Sequence, residues 1–163
     1  MSNSLAEIVH ESMASSLLGY IKTLLRDCNT AEDIFQNVFC KLWQTKTSIE
    51  NIKNLKAFVF AIARNEVWRE LDKRKSRIRI VQDDSAFFEV AKPEQISILD
   101  SLSLEEALLR IPEEQREIVY LKIYGLLTFQ EIADILKISI NTATSRYRYG
   151  LEKMNKFLRE NNE

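Results

Sequence analysis

The sequence predicts an all-α protein made of two small helical domains joined by a flexible linker. Three glycines and two prolines among 163 residues leave few helix breaks, and helix-favouring leucine, isoleucine, glutamate and lysine are frequent. Apolar residues recur at helical spacing in both halves. A stretch with Pro93, an acidic pair and no sustained helical periodicity separates the halves. We therefore expect a first domain at residues 1–78, a linker at 79–101 and a second domain at 102–163.

Three helices are expected in the first half. An amphipathic helix runs from Leu5 to Leu25. Thr30 then begins an S/T-x-x-D cap for a second helix, whose wide apolar stripe ends at Trp43. A polar loop, Thr45–Asn54, leads into a long helix from Lys56 to about Lys75, which starts apolar almost all round and becomes basic.

The second half is predicted to begin with a short helix that Ser103 caps and that ends at Arg110. Pro112 stands at the first position of the next helix, where proline is tolerated, and Gly125 ends that helix. Thr128 opens a capping box for the helix that follows. In the linker, Phe87-Phe88 is expected to dock on a domain or a partner, because exposed aromatic side chains are costly in water.

Residues 128–148 carry the pattern of a helix-turn-helix in the second domain. Ser139 follows the break and can cap the last helix. Six apolar residues of that helix are expected to face the core: Ile140, Ala143, Tyr147, Leu151, Met154 and Leu158. The opposite side carries groups that can reach base edges and phosphates: Asn141, Thr142, Ser145, Arg148 and Tyr149. The alternative is an ordinary helical hairpin with a solvated face.

Charge is strongly patterned along the chain although the formal net charge is only −1. Residues 137–159 hold six basic side chains against one acidic, and residues 64–79 hold seven against three. Between them, residues 83–117 hold ten acidic side chains against three basic. Two basic helices separated by an acidic segment favour a protein with two nucleic-acid contacts.

Motifs of catalysis or cofactor binding are absent from the sequence. It has no glycine-rich phosphate loop, catalytic-triad spacing or H-E-x-x-H motif. Cys28 and Cys40 share no metal-ligand spacing with His10, so bystander thiols in a reducing cytoplasm are expected. The longest apolar run, Ala57–Ala63, is too short to span a bilayer, and the first residues lack an export signal. We expect a cytoplasmic, non-enzymatic protein without cofactor, metal or membrane insertion.

Together the two halves resemble bacterial sigma factors of the extracytoplasmic-function (ECF) class, which keep the conserved regions two and four. The resemblance rests on AEDIFQNVFCKLW (31–43), LKAFVFAIARNEVWREL (55–71) and IPEEQREIVYLKIYGLLTFQEIADILKISINTATSRYRYGLEKM (111–154). Many regulators have a helix-turn-helix, but its pairing with D-x-x-Q-x-x-F and I-A-R-N upstream is specific. The resemblance implies a subunit that binds core RNA polymerase and directs promoter recognition and transcription initiation. An anti-sigma factor is a further expected partner.

The resemblance also implies which residues of region two, at 1–78, contact partners. The second helix would dock on the polymerase clamp through Asp33, Gln36, Asn37 and Lys41. The loop before the long helix, and that helix, would melt the minus-ten element and hold a flipped-out base. The DNA contacts implied there are a base-edge amide, Asn65, an aromatic, Phe60, and the phosphate-binding Arg64, Arg69, Lys73 and Arg74. Since AFVFAIA is typical of a buried helix segment, Phe58 and Phe60 are alternatively core residues.

Region four, at 102–163, would read the minus-thirty-five element. The family's base contacts fall on Thr144, Ser145 and Arg148, with Arg146 on a flanking phosphate. Helical periodicity agrees for Ser145 and Arg148, adds Thr142 and Tyr149, and places Thr144 nearer the apolar stripe.

Four departures from the family pattern concern local conformation and promoter sequence. Lys137 replaces the usual glycine of the turn, so a left-handed conformation there would cost about 1–2 kcal/mol. Asn37 replaces a glutamate, Arg69 an aspartate, and Ala143-Thr144 a Val-Lys or Val-Arg pair. The alternatives are a helix-turn-helix regulator of response-regulator type and a degenerate sigma-like protein that does not initiate.

Overall fold

The protein is described by a computed structural model that covers residues 4–47, 49–81 and 102–161, so the predicted docking of Phe87-Phe88 lies outside the described residues. Within these ranges all regular secondary structure is helical, which confirms the all-α prediction. The helices are α1 (Leu5–Leu25), α2 (Cys28–Gln44), a 3-10 turn (Ile49–Asn51), α3 (Leu55–Val81), α4 (Leu102–Arg110), α5 (Glu113–Ile123), α6 (Phe129–Leu136) and α7 (Ile140–Glu160).

Helices α1, α2 and α3 pack together as the first half of the molecule. Helix α1 spans the residues predicted for it, and Ser4 and Glu7 form a capping box at its start. The core between the three helices is aliphatic, and its fully buried members include Leu17, Ile21, Val38, Leu42 and Val59. Trp43 was predicted to belong to this apolar stripe and does not, since 61% of its surface is exposed.

Helix α2 begins three residues earlier than predicted. Asp27, and not Thr30, is its N-cap: the Asp27 carboxylate accepts from the amides of Asn29 at 3.1 Å and Thr30 at 3.4 Å. The Thr30 hydroxyl donates to the same carboxylate at 2.6 Å. The Thr30 hydroxyl, followed by the Thr30 amide and Arg74, lowers the pKa of Asp27. A carboxylate at the cap also suits the positive end of the helix dipole.

Three predicted helix ends are wrong by a few residues. Helix α3 continues to Val81, past the expected end near Lys75 and into the predicted linker, because neither proline nor glycine interrupts it. Helix α4 begins at Leu102, so Ser103 lies inside it and is not its N-cap. Pro112 is the N-cap of α5 and not its first helical residue.

Helices α4 to α7 form the second half, with α7 packed against α4, α5 and α6. Gly150 marks a close approach of two helices, since a Cβ there would lie 2.9 Å from Cγ2 of Val119. Arg116 is buried at the end of α4 and donates to the carbonyls of Leu108, Leu109 and Ile111 at 3.1, 3.2 and 2.9 Å. This guanidinium satisfies carbonyls that the helix end leaves without partners.

The predicted helix-turn-helix is confirmed in its local chemistry. Thr128 and Glu131 form a capping box at the start of α6. Lys137 ends the helix in the left-handed conformation, with φ of 55°, as predicted from the missing glycine. The Ser139 hydroxyl accepts from the amide of Thr142 at 3.0 Å and caps α7.

The halves meet where α1 packs on α5 and where α3 packs on α6. The two predicted domains therefore touch directly in this arrangement.

Candidate nucleic-acid interface

The exposed side of α7 carries the predicted base contacts. Thr144 and Arg148 are exposed and Ser145 is half-buried. The hydroxyls of Thr144 and Ser145 each donate to a carbonyl one turn back, Ile140 and Asn141, at 2.8 Å. These local bonds leave hydroxyl lone pairs that can accept from bases.

Arg148 has the reach and freedom that base contact requires. Its side chain is 65% exposed, and its guanidinium lies 5.1 Å from the ring centre of the exposed Tyr149. Glu152 is 4.0 Å away in a solvated pair of little strength. Because this ion pair is weak, Arg148 remains available to a phosphate or to the edge of a guanine.

Two residues of α7 lie on the other side from the one expected from periodicity. Thr144 was placed near the apolar stripe and is exposed. Ile140 was placed in that stripe and is 44% exposed. Ile140 is the first helical residue, at the edge of the interface between α6 and α7. Of the predicted stripe, Ala143 and Met154 are buried, and Tyr147, Leu151 and Leu158 are half-buried.

Arg146 and Thr142 occupy flanking positions on α7. The Arg146 guanidinium lies 2.8 Å from the carboxylate of Glu114 in the first turn of α5, and the arginine is half-buried. The Thr142 hydroxyl lies 2.8 Å from Oγ of Ser139 at the helix start. Both side chains therefore lie at the border of the exposed face of α7.

The DNA contacts predicted on α3 divide into exposed and internally paired side chains. Asn65 and Lys73 are exposed. Arg69 is exposed and lies 2.9 Å from the carboxylate of Glu66. Arg74 donates to Asp27 at 3.0 Å and to Glu70 at 3.3 Å, so it braces the start of α2.

Phe60 is not a DNA contact in this arrangement, which corrects its prediction. It is 1% exposed and meets the Tyr20 ring edge-on, with ring centres 5.3 Å apart. It belongs to the apolar stripe by which α3 packs on α1, together with Val59, Ala63 and Val67. Phe58, two residues earlier, is half-buried and lines an open groove beside the loop at 45–54.

The predicted polymerase contacts of α2 share its exposed side. Asp33, Gln36 and Asn37 are exposed, and Lys41 is half-buried and paired with Glu66 of α3. The sequence prediction missed Trp43 as a member of this side. Its spacing of seven residues from Gln36, two helical turns, is the signal that places both at nearly the same angle.

A buried polar network at the junction of the halves was also missed. The Tyr20 hydroxyl donates to Oε1 of Glu117 at 2.7 Å, and Nε of Arg64 donates to the same atom at 3.0 Å. Glu117 is 5% exposed and Tyr20 is fully buried. Burial raises the pKa of Glu117 above its ordinary value. Burial, and then the charge of Glu117, raise the pKa of Tyr20 well above its ordinary value. These residues lie on three helices far apart in sequence, so local periodicity gives no signal for them.

The described residues contain no cluster of histidine, cysteine and carboxylate side chains suited to a metal ion. In the same ranges, no helix combines the length and apolar character needed to cross a bilayer. Cys28 and Cys40 are free, exposed thiols.

Comparison with known proteins decides the family. The model of sigma-70 region 2 matches residues 9–77, and that of sigma-70 region 4 matches residues 101–154. SigL, an ECF RNA polymerase sigma factor of Mycobacterium tuberculosis, is 28% identical over 162 residues, which cover 96% of this chain and 90% of SigL. The chain belongs to the sigma-70 family, ECF class. It is a sigma factor that directs transcription initiation.

Other proteins similar to this sigma factor point to the same family. SigW, an ECF sigma factor of Bacillus subtilis, is 24% identical, over 84% of this chain and 80% of SigW. The sigma factor RpoE of Bartonella quintana, solved with the anti-sigma factor NepR, superposes with a TM-score of 0.75 at 25% identity, covering 94% of this chain and 96% of RpoE. CnrH, solved with the cytosolic domain of CnrY, shares the fold at a TM-score of 0.61 and 16% identity, over 96% and 88% of the two chains.

The match to region 2 separates this sigma factor from regulators that share only a helix-turn-helix. Sigma-70 proteins are non-enzymatic transcription factors, in agreement with a sequence that has no catalytic motif.

Proposed function

We propose that this sigma factor divides its work between three exposed surfaces. Residues 1–78 dock on core polymerase through α2 and contact the minus-ten element through α3. Residues 102–163 read the minus-thirty-five element through α7, and the chain between 79 and 101 joins them. The observation that carries the proposal is the separation of polar and apolar sides on α2 and α7, with each predicted contact except Phe60 at least partly exposed.

Docking is assigned to one side of α2. Asp33, Gln36 and Asn37 stand at i, i+3 and i+4, opposite the buried Ile34 and Val38. A short polar patch presented by a helix whose back is fixed in a core suits a rigid partner. Lys41 contributes from the edge of this surface, since it is also paired with Glu66.

Upstream promoter recognition is assigned to Thr144, Ser145 and Arg148. An arginine that reaches both acceptors of guanine supplies about 1–3 kcal/mol of discrimination. Arg146, turned towards Glu114, takes a flanking phosphate, and Thr142 and Tyr149 border the surface.

Contact with the melted minus-ten element is assigned to Asn65, with Lys73 and Arg69 beside it on phosphates. An exposed amide on a rigid helix can pair with the edge of an unstacked base. Arg64 is paired with Glu117, and Arg74 is paired with Asp27. Each arginine can bind a phosphate of the DNA only after its ion pair breaks.

An anti-sigma factor is the partner proposed for regulation, because the similar RpoE of Bartonella quintana was solved with an anti-sigma factor. We propose that the protein acts in the cytoplasm, where a sigma factor would meet RNA polymerase.

Reconstituted transcription tests the function. Purified sigma factor and core polymerase are combined with fragments of genomic DNA, and run-off transcripts with discrete start sites are expected. Core polymerase alone is the control. Co-purification with core polymerase but no transcript from any fragment would instead indicate a degenerate sigma-like protein.

A further inference from the structure

Ile140 is an exposed aliphatic residue at the start of α7, the helix assigned to upstream promoter recognition. It fits the apolar stripe of that helix by periodicity, but 44% of its surface is exposed at the edge of the interface with α6. Exposed apolar side chains that stand alone are common and need no explanation. Ile140 does not stand alone, because two exposed side chains continue its row along the helix.

The row consists of Ile140, Thr144 and Arg148, which follow one another at intervals of four residues and are all exposed. Side chains at this spacing lie one above the other on one side of a helix. Eight residues extend over about 12 Å of helix axis, which corresponds to roughly three or four base-pair steps of a DNA duplex. A single helix in the major groove can therefore bring the two ends of the row to different base pairs.

The hydroxyl hydrogen of Thr144 is already used within the helix. Oγ1 of Thr144 donates to the carbonyl of Ile140 at 2.8 Å, so this side chain can offer a base only an accepting oxygen and a methyl group. Ile140 offers only hydrocarbon. The side chains in the first half of the row therefore have no free hydrogen-bond donor, whereas Arg148 at the far end has donors alone.

One kind of base pair matches the first half of the row. In the major groove thymine presents its C5-methyl group, and the adenine paired with it presents an N6 donor. Guanine presents two acceptors there, which side chains without a donor leave unsatisfied. Cytosine has an N4 donor, but it lacks the methyl group and so leaves an aliphatic side chain without an apolar contact.

We propose that Ile140 packs against the C5-methyl group of a thymine in the upstream promoter element, while the Thr144 hydroxyl accepts from N6 of the paired adenine. This inference rests on the proposed function of α7. It adds a base contact at a residue that neither the family resemblance nor the helical periodicity assigned to DNA. The upstream element is then expected to contain a T·A pair within about four base pairs of the guanine that Arg148 reads.

Deoxyuridine tests the contact at the level of a single methyl group. Selection of bound duplexes by the sigma factor together with core polymerase first identifies the upstream element. Each thymine of that element is then replaced singly by deoxyuridine, which pairs with adenine and lacks only the C5-methyl group. Wild type is expected to lose about fourfold in affinity at one position, the value for one methyl group taken out of apolar contact.

Ile140→Ala is expected to bind the thymine and deoxyuridine duplexes equally, because alanine does not reach the methyl group. Alanine is favourable in a helix, so α7 is expected to remain folded. Each ratio compares two duplexes with one protein variant, so a change in the folded fraction cancels. Leu104→Ala is the matched control, since Leu104 is 41% exposed on α4 and lies outside the row. This control should keep the wild-type response to deoxyuridine.

A C·G pair at the sensitive position supplies a second measurement. 5-Methylcytosine carries a methyl group at the place where thymine carries one, and cytosine does not. Wild type is expected to prefer the 5-methylcytosine duplex over the cytosine duplex by a similar factor, and Ile140→Ala to bind both alike.

Three results would overturn the thymine contact: an upstream element in which no thymine responds to deoxyuridine, a response that is equal in Ile140→Ala and wild type, or a response that Leu104→Ala also loses. Each of them leaves the promoter assignment of α7 intact. Failure of the proposed function is distinguishable, because the selection with wild type then returns no preferred upstream bases. That result refutes the promoter assignment and the thymine contact together.

Discussion

The hydroxyl of Tyr20 donates to Oε1 of Glu117 at 2.7 Å, across 97 residues of sequence and between the two conserved regions. Burial raises the pKa of Glu117, and the nearby Glu113 adds to the rise, while Tyr20 and Arg64 oppose it. The folded chain therefore binds this proton more tightly than the unfolded chain does. Its contribution to stability is fully present below the ordinary pKa of 4.5 and is lost as pH rises through the raised pKa.

Glu117→Gln is expected to remove this pH dependence. The amide oxygen can still accept from Tyr20 and Arg64, and the amide is neutral at every pH. Urea unfolding of both proteins at pH 5 and pH 8 measures the effect: the stability of the glutamine variant relative to wild type should be greater at pH 8. A difference that stays constant between the two pH values would contradict the assigned pKa direction.

Charge reversal on α2 tests polymerase docking. Asp33→Lys combined with Gln36→Ala should weaken binding to core polymerase by at least about tenfold, because both side chains lie in the proposed contact and outside the core. Binding to fluorescently labelled core polymerase is the measurement. Glu11→Lys, at an exposed carboxylate of α1 outside the proposed contact, is the matched control. Unchanged affinity of the double variant, with native circular dichroism, would remove α2 from the interface.

Asn65→Ala tests promoter melting. Loss of an amide that pairs with an unstacked base should slow open-complex formation and spare closed-complex binding. Permanganate footprinting of the melted region follows this directly, with Ser76→Ala, further along the exposed part of α3, as control. Identical footprints for Asn65→Ala and wild type would leave Asn65 without a role in melting.

The two arginines of α7 are expected to behave differently. Arg148→Ala should relax preference at one or two adjacent base pairs, at about 1–3 kcal/mol. Arg146→Ala should weaken binding evenly across sequences and reduce its salt dependence. Selection of bound promoter variants at two salt concentrations separates these outcomes. An altered sequence preference in Arg146→Ala, with uniform weakening in Arg148→Ala, would reverse the two assignments.

Lys137→Gly is expected to stabilise the helix-turn-helix. The lysine is held at φ of 55°, a conformation that costs a residue with a side chain about 1–2 kcal/mol and glycine far less. Part of that gain is offset by the greater freedom of glycine in the unfolded chain. Thermal unfolding should show a midpoint raised by a few degrees, whereas Lys153→Gly, on the exposed side of α7, should lower it.

Local chemistry explains which parts of the structure could be predicted from sequence. Caps at Thr128 and Ser139 and the strained turn at Lys137 depend on residues within four positions of each other, and all three are found as expected. Competition between neighbouring caps was harder to predict. Asp27, three residues before Thr30, caps the helix by accepting from the amides of Asn29 and Thr30, so Thr30 lies inside the helix.

Which of several similar side chains is buried depends on tertiary packing, which the sequence pattern does not reveal. Phe60 and Phe58 are two residues apart in one apolar run, and only the position of α1 determines which is buried. Trp43 and Ile140 fit the apolar stripes of their helices, yet neither is covered by a neighbouring helix. In the sequence, Glu117 is one of ten acidic residues in an acidic segment. Only the packing of α1 and α3 against α5 shows that it is buried.

The carboxylate of Glu66 serves two cations on opposite faces: Lys41, beside the proposed polymerase surface, and Arg69, beside the proposed DNA surface. Glu66 is buried, so its carboxylate depends on these two cations for the interactions that water would otherwise supply. Loss of either cation would leave this buried carboxylate with one charged partner instead of two, at a cost in free energy. A substitution at Lys41 or Arg69 therefore acts on the packing of α2 against α3 as well as on the surface where the side chain lies.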